Sequence, residues 1–69
     1  MTNTSLLEKY IGDSGYKKSF IAKKIGITAY ALAMKINNET EFKASEIDGI
    51  AKLLNIDVHT KEEIFFATR

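Results

Sequence analysis

The 69-residue chain contains no cysteine, no proline and no tryptophan. Without cysteine, the sequence offers no disulfide framework, no thiolate zinc site and no thiol nucleophile, and its composition gives secretion no support. No apolar run approaches the roughly 18 residues of a membrane span. The N-terminus also lacks the charged-then-apolar layout of a signal peptide. These absences predict a small soluble domain in a reducing compartment, with no membrane partner.

The chain is also short, which limits what it can enclose. A domain of this length buries only roughly 60% of its unfolded surface, and it rarely builds a water-excluding pocket as well as a core. We therefore predict a single domain over residues 1–69 that is not an enzyme, and no set of nucleophile, base and orienting acid suggests catalytic residues. The single histidine, His59, has no further ligands at metal-binding spacing. Neither a metal site nor a cofactor is expected.

Charge is unevenly distributed along the chain, although the net charge is only +1. Residues 1–15 carry one lysine against two acids, and residues 39–69 carry four basic residues against seven acids. Residues 16–38 carry no acid and five lysines, namely Lys17, Lys18, Lys23, Lys24 and Lys35. A positive block of this kind predicts an anionic partner there. A solvated lysine face without a partner is the alternative interpretation.

Start and stop signals divide the chain into five short helices. Ser5 to Glu8 fits a capping box that opens the first helix, and Gly15 is a suitable stop. A second capping box, Thr60 to Glu63, predicts a fifth helix through Phe66. No stretch alternates with period two, so the predicted fold class is all-α. The three central helices are predicted from about Lys17 to Ile25 with Gly26 at the end, from the N-cap Thr28 to near Asn37–Asn38, and from about Ala44 to Leu54.

Apolar residues at helical spacing predict one buried face for each helix. Outside the helices, Ile27, Phe42 and Ile56 are expected to close the core. Only one of Phe65 and Phe66 can point inward from so short a helix, which leaves the other as a candidate for a dimer or partner contact. The inward positions are predicted to be Leu7, Tyr10, Ile11, Ile21, Ala22, Ile25, Leu32, Ile36, Ile47, Ile50, Ala51 and Leu54.

The segment of about residues 17–38 has the pattern of a helix-turn-helix. Ala22 is small where a second helix must approach closely, and Gly26 stands four residues later, where the chain needs a left-handed conformation to turn sharply. Ile27 and Leu32 would then bury against the first helix of the pair. The second helix of such a pair enters the major groove of DNA.

These residues resemble the phage repressor and Cro-type helix-turn-helix family. Residues 21–28, IAKKIGIT, are similar to the helix–turn junction of that family, and residues 44–47 and 50–56 resemble its fourth helix. Residues 62–66, EEIFF, are similar to a subgroup of small regulators in phages and prophages of Gram-positive bacteria. The resemblance covers roughly residues 5–67. It implies a compact five-helix, phage-repressor-like domain in the bacterial cytoplasm that regulates transcription by binding double-stranded operator DNA, often as a homodimer.

The resemblance also implies DNA contacts at the start of the second helix and along the third. The family often has glutamine at the position of Lys18 and polar residues at the positions of Ala29 and Tyr30. On the outward face of the third helix, only Asn37 is a strong base-reading amide. Lysines near the positive end of the second helix would contact phosphate. The candidate DNA-binding or partner-binding residues are Lys17, Lys18, Ser19, Lys24, Thr28, Ala29, Tyr30, Ala33, Met34 and Asn37.

An apolar face on the third helix supports a second interpretation; it comprises Tyr30, Ala33 and Met34. Tyrosine and methionine are common at protein interfaces, whereas DNA interfaces are rich in cations. The scaffold would then belong to a modulator, such as an antirepressor that docks on a partner phage repressor in a lysogeny switch. Two neighbouring features are also expected: Phe20 is either exposed or folded onto Tyr16, and Lys35 snorkels beside the inward face.

Overall fold

The computed structural model describes residues 1–67 and shows an all-α fold. Within those residues there is no strand, and the five helices are α1 (Thr4–Ser14), α2 (Lys18–Ile25), α3 (Ala29–Ile36), α4 (Ala44–Leu53) and α5 (Val58–Phe65). The predicted fold class and the number of helices are confirmed, and the ends of α2, α3 and α4 agree with the sequence signals within about one residue. None of the helices in residues 1–67 is long and apolar enough to cross a membrane.

The first predicted capping box is wrong, because α1 begins before it. Asn3 is the N-cap, and its Oδ1 accepts a hydrogen bond from the Leu6 N–H at 3.2 Å. Ser5 lies inside the helix and donates its hydroxyl to the same oxygen at 3.1 Å. The Asn3 N–H already donates to the Ile64 carbonyl at 2.6 Å. A glutamate is therefore not needed to satisfy that donor, as it would be in a capping box.

The second predicted capping box is also wrong, for a related reason. The N-cap of α5 is Asp57, whose Oδ1 accepts from the Thr60 N–H at 2.7 Å. Hydrogen bonds from the backbone N–H and the side chain of Thr60 hold the pKa of Asp57 below its ordinary value. An aspartate three residues ahead of Thr60 thus begins the helix earlier, because a carboxylate at a helix N-terminus accepts the unpaired backbone N–H groups well.

Four residues with positive φ set the ends of the helices. Gly15 and Gly26 follow α1 and α2 with φ of 76° and 82°, as their sequence positions predict. Asn38 and Asn55 take the same left-handed region after α3 and α4, with φ of 65° and 56°. Asparagine tolerates this conformation better than most residues. The chain therefore turns sharply after each of the first four helices.

The core contains residues from all five helices. Phe65 is buried and its ring meets the Phe42 ring edge-on at 5.2 Å, whereas Phe66 is 59% exposed. Ile27, Phe42 and Ile56 pack against the core from the loops, as predicted. The buried apolar side chains are Leu7, Ile11, Ile21, Ala22, Leu32, Ile36, Ile47, Ile50, Ala51, Ile64 and Phe65.

A buried ion pair joins α3 to α4. Lys35 Nζ lies 2.7 Å from Glu46 Oε1, with both side chains about nine-tenths buried. The same oxygen accepts from the Lys43 N–H at 2.8 Å, and Lys35 also donates to the Glu41 carbonyl at 3.2 Å. Burial alone would raise the pKa of Glu46, but these hydrogen bonds and the Lys35 charge outweigh it and lower the pKa. Lys35 therefore does more than snorkel, since it neutralises a buried acid.

The first residues of the chain are held between the ends of α3 and α5. The Asn38 side chain accepts from the Thr2 N–H and donates to the Thr2 carbonyl, both at 2.8 Å. Thr4 donates its hydroxyl to the Ile36 carbonyl at 2.5 Å. The Met1 carbonyl accepts from the Ala67 N–H at 3.0 Å. These hydrogen bonds anchor the end of α3 to the first residues of the chain.

We predict opposite effects for two glycine-to-alanine changes in α1 and its cap. An alanine Cβ at either Gly12 or Gly15 would meet no atom within 4 Å, but only Gly15 has a positive φ. Gly12→Ala should raise the free energy of unfolding by about 0.5–1 kcal/mol, because alanine favours the helix. Gly15→Ala should lower it by about 1–2 kcal/mol. Urea denaturation of both variants checks this, and a loss of stability in Gly12→Ala would contradict it.

We also predict that Glu46→Gln destabilises the fold at neutral pH. It should lower the free energy of unfolding by about 1–3 kcal/mol, because Lys35 loses its counter-charge. Glu46 has a lowered pKa in the folded state, so its contribution is present above the ordinary pKa of 4.5 and is lost as the pH falls through the folded-state value. Denaturation at several pH values should show the gap between the two proteins closing below about pH 4.5.

The exposed Glu39 provides a control for this comparison. Glu39→Gln should change the free energy of unfolding by less than about 0.5 kcal/mol. A Glu46→Gln deficit that stayed constant down to low pH would show that the ion pair does not carry the effect.

Candidate nucleic-acid interface

Helices α2 and α3 and the turn between them form the candidate interface. The Ile27 N–H donates to the Ala22 carbonyl at 2.9 Å, and the Gly26 N–H donates to the Lys23 carbonyl at 3.3 Å. These bonds close the C-terminus of α2 over the left-handed Gly26. Thr28 then caps α3 by accepting the Ala31 N–H at 3.0 Å. The predicted turn between the two helices is thus present and is fixed by local hydrogen bonds.

The outward face of α3 is apolar over most of its length. Tyr30 is 74% exposed, the largest exposed fraction among the large hydrophobic side chains of residues 1–67. Ala29 and Ala33 are exposed beside it, and Met34 is half-buried at the edge of this face. We call Ala29, Tyr30, Ala33 and Met34 the α3 apolar face. Its one strong hydrogen-bonding side-chain group is the Tyr30 hydroxyl.

Polar groups lie at the two ends of α3. Thr28 is exposed at the N-terminus, where its oxygen is used as the cap and its hydroxyl hydrogen remains available as a donor. Asn37 is exposed at the C-terminus. Its neighbour Asn38 has its side-chain amide engaged with Thr2. Asn37 is therefore the asparagine at this end of α3 whose amide remains accessible to a base edge.

Among the five helices of residues 1–67, α2 is the one whose N-terminus has neither a side-chain cap nor an acid in the first turn. Lys17 is the N-cap and provides no side-chain acceptor, and the first turn contains no acid. As in the other four helices of residues 1–67, the first two backbone N–H groups have no hydrogen-bond acceptor, and in α2 they belong to Lys18 and Ser19. Because unpaired N–H groups and the helix dipole favour an anion, this end of α2 suits a phosphate. Lys17, Lys18 and Ser19 all lie exposed there, as predicted.

The five lysines of the basic block are not equally available. Lys18 forms an exposed ion pair with Glu8 at 2.8 Å, and Lys35 is buried against Glu46. The other three lysines, Lys17, Lys23 and Lys24, are exposed and have no carboxylate within 4 Å among residues 1–67. Fewer lysines of the basic block are thus available to a partner than the sequence indicates. The three without an ion-pair partner among residues 1–67 lie on α2 or at its N-cap.

Aromatic side chains lie beside these lysines. The Tyr16 and Phe20 rings stack at 5.0 Å between centroids, and they are 41% and 38% exposed. Phe20 is thus both exposed and folded onto Tyr16, so both sequence alternatives hold together. Lys24 Nζ lies 5.5 Å from the Phe20 ring centroid, within the range of a cation–π contact.

Sequence reasoning did not select Lys23, Tyr16 and Phe20 for the site. A helical wheel of α2 shows the signal that was available for Phe20 and Lys23, because it places both on the side opposite the buried Ile21 and Ala22. Tyr16 precedes α2 and joins them through its ring contact with Phe20.

His59 is not part of the candidate interface. Its side chain is 83% exposed on α5 and lies 3.8 Å from Glu63. Among residues 1–67, no cluster of three or more histidine, aspartate or glutamate side chains could hold a metal ion.

Comparisons with known proteins return no match: no family model, no curated protein and no solved structure resembles this chain closely enough to be reported. The assignment of a function therefore depends on the geometry of α2 and α3.

Proposed function

We propose that this protein is a phage- or prophage-type transcriptional regulator that binds operator DNA through α2, the turn and α3. The observation that carries the proposal is the N-terminus of α2, which has neither a side-chain cap nor a first-turn acid and lies next to exposed lysines. In helix-turn-helix proteins, the second helix of the pair lies in the major groove and the first helix crosses the DNA backbone. Docked in this way, α2 would meet phosphate at its N-terminus, where the helix dipole and the exposed lysines favour an anion.

Phosphate contacts would supply most of the affinity. Lys17 reaches phosphate from the N-cap and Lys24 from two turns further along α2, and neither has a carboxylate partner among the described residues. Lys18 has one, because Glu8 lies 2.8 Å away. A lysine that must give up an ion pair to bind phosphate gains less from the exchange. Lys17 and Lys24 are therefore expected to contribute more than Lys18.

Base selectivity would come from the polar groups on α3. Asn37 can read an adenine, and the Thr28 and Tyr30 hydroxyls can donate to a base or a phosphate. The methyl groups of Ala29 and Ala33 suit contact with thymine methyls. With so few base-reading groups, selectivity is expected to be modest and the affinity mostly electrostatic.

We predict that Lys17→Ala and Lys24→Ala each weaken DNA binding about equally on any sequence. Each should reduce the slope of log K against log salt by roughly one unit, because one phosphate contact is lost. Lys18→Ala should have a smaller effect. Fluorescence anisotropy with the intergenic DNA beside the gene, and with an unrelated duplex of the same length, measures both quantities over a range of salt concentrations.

Lys52 is the matched control, since it is an exposed α4 lysine without a carboxylate partner among the described residues. Lys52→Ala changes the net charge equally but should leave the salt slope unchanged. An equal loss of slope in Lys52→Ala would show a non-specific charge effect, which contradicts the predicted docking. A loss confined to the operator in Lys24→Ala would show that Lys24 reads a base.

A second candidate function is a protein-binding modulator that docks on a partner phage repressor. The α3 apolar face favours it, because a 74% exposed tyrosine and the two exposed alanines beside it can be buried against an apolar surface. The free-energy cost of desolvating polar groups would be small, since the Tyr30 hydroxyl is the main polar group there. The half-buried Met34 adapts to irregular partners. DNA and the repressor would then compete for the same helix, α3. The modulator would act by binding the repressor and keeping it from DNA.

The double variant Tyr30→Ala with Met34→Ala distinguishes the two functions. If the protein is a modulator, this variant should weaken binding to the repressor encoded beside its gene by about 2 kcal/mol or more, roughly thirtyfold. Non-specific DNA binding should change far less. Calorimetric titration against the repressor and against DNA measures both.

Val58→Ala is the control, because Val58 is a 68% exposed apolar residue on α5, away from this face. It should leave both titrations unchanged. Nanomolar operator binding at physiological salt that is lost on Asn37→Ala, together with no binding to the repressor, would exclude the modulator.

A further inference from the structure

Among residues 1–67, the exposed aromatic side chains outside the α3 apolar face form two groups, and the two groups are flanked by charges of opposite sign. On α2, the exposed Phe20 is followed by Lys23 and Lys24 at three and four residues. We call Tyr16, Phe20, Lys23 and Lys24 the basic flank. At the end of α5, the exposed Phe66 is preceded by Glu62 and Glu63 at four and three residues. We call Glu62, Glu63 and Phe66 the acidic edge.

Each of the two surfaces is a continuous patch. In the basic flank, Tyr16 stacks on Phe20 at 5.0 Å and Lys24 lies 5.5 Å from the Phe20 ring. In the acidic edge, the Phe66 N–H donates to the Glu62 carbonyl at 3.0 Å, so Phe66 stays on the last turn of α5. Residues three or four apart on a helix are neighbours, so each aromatic ring has two like charges one turn away.

We infer that the acidic edge of one copy docks on the basic flank of a second copy of the same chain. When α5 of one copy is laid antiparallel to α2 of the other, the order of residues matches. Phe66 then meets the Tyr16–Phe20 pair, and one helical turn away the two glutamates meet the two lysines.

Charge complementarity selects this occupant. Lys23 and Lys24 have no carboxylate within 4 Å among residues 1–67, and Glu62 has no cationic partner there. Glu63 has only the weak partner His59, at 3.8 Å. A symmetric contact of two acidic edges would instead oppose like charges, which is unfavourable. Two basic flanks would meet the same repulsion.

The contact is heterologous, because it joins different surfaces of the two copies. Such contacts leave one basic flank and one acidic edge unoccupied at the ends of any open assembly. The assembly therefore grows with concentration instead of stopping at a dimer. The contact area consists of a few side chains, so the association is expected to be weak and to depend on salt.

Sedimentation velocity of the full chain without DNA provides the first test. The mean mass should rise steadily with protein concentration at low salt. Raising the salt from about 50 mM to about 500 mM should weaken the association roughly tenfold, because exposed charge pairs are screened. Phe66→Ala should leave a monomer. A chain that stays monomeric at all concentrations, or that stops at a dimer unaffected by salt, would overturn the inference.

Mixing two charge-reversed variants tests the pairing directly. The variant Lys23→Glu with Lys24→Glu loses the basic flank, and the variant Glu62→Lys with Glu63→Lys loses the acidic edge. Each alone should be monomeric, and an equimolar mixture should recover association. Monomers in the mixture, or association of either variant alone, would show that these two surfaces do not meet.

A single-site pair gives the charge control. Lys24→Glu should weaken association several-fold, whereas Lys52→Glu, which changes the net charge equally on α4, should leave it unchanged. All substituted side chains are exposed, and circular dichroism with a thermal melt confirms that each variant is folded. Because no DNA is present, failure here leaves the proposed DNA-binding function untouched, and failure of DNA binding leaves this inference untouched.

Discussion

The carboxylate of Glu46 holds together the part of the fold on which the candidate interface depends. A single oxygen accepts from Lys35 on α3 and from the backbone of Lys43 at the start of α4. Lys35 in turn donates to the carbonyl of Glu41 in the connecting segment. Three consecutive segments thus meet on one buried ion pair. Since such pairs contribute little net stability compared with apolar packing, its main effect here is to fix the orientation of α3 against α4.

The sequence predicts α2, α3 and the turn between them well because their determinants are local. Gly26 must adopt a positive φ, Thr28 is an N-cap, and the spacing of Leu32 and Ile36 defines the inward face of α3. All four are confirmed. The capping boxes of α1 and α5 are wrong because distant or stronger partners decide the cap. The Asn3 N–H meets the carbonyl of Ile64, which lies on the last helix.

The contacts that the sequence did not predict are mainly ion pairs between different helices, whose spacing along the chain follows no helical period. Lys35 and Glu46 are eleven residues apart and Lys18 and Glu8 ten, so neither pairing follows a helical period. Gly49 has no explanation from the sequence, but a Cβ there would lie 3.0 Å from the Ile25 side chain, where α4 approaches α2. The outward face of α3 was predicted from its periodicity. The loss of two lysines to ion pairs was not, because it depends on how helices pack.

Lys24 takes part in both proposals, because it is one of the lysines expected to contact phosphate and it also belongs to the basic flank. A DNA phosphate and the glutamates of a second copy would compete for the same ammonium group. Competition at one residue makes the coupling between the two events negative and reciprocal. DNA binding to one copy would weaken the association with its neighbour by the same factor by which the neighbour weakens DNA binding. The unpaired charge on α2 would therefore favour either DNA or a second copy on each molecule, according to the concentrations of DNA and of the protein itself.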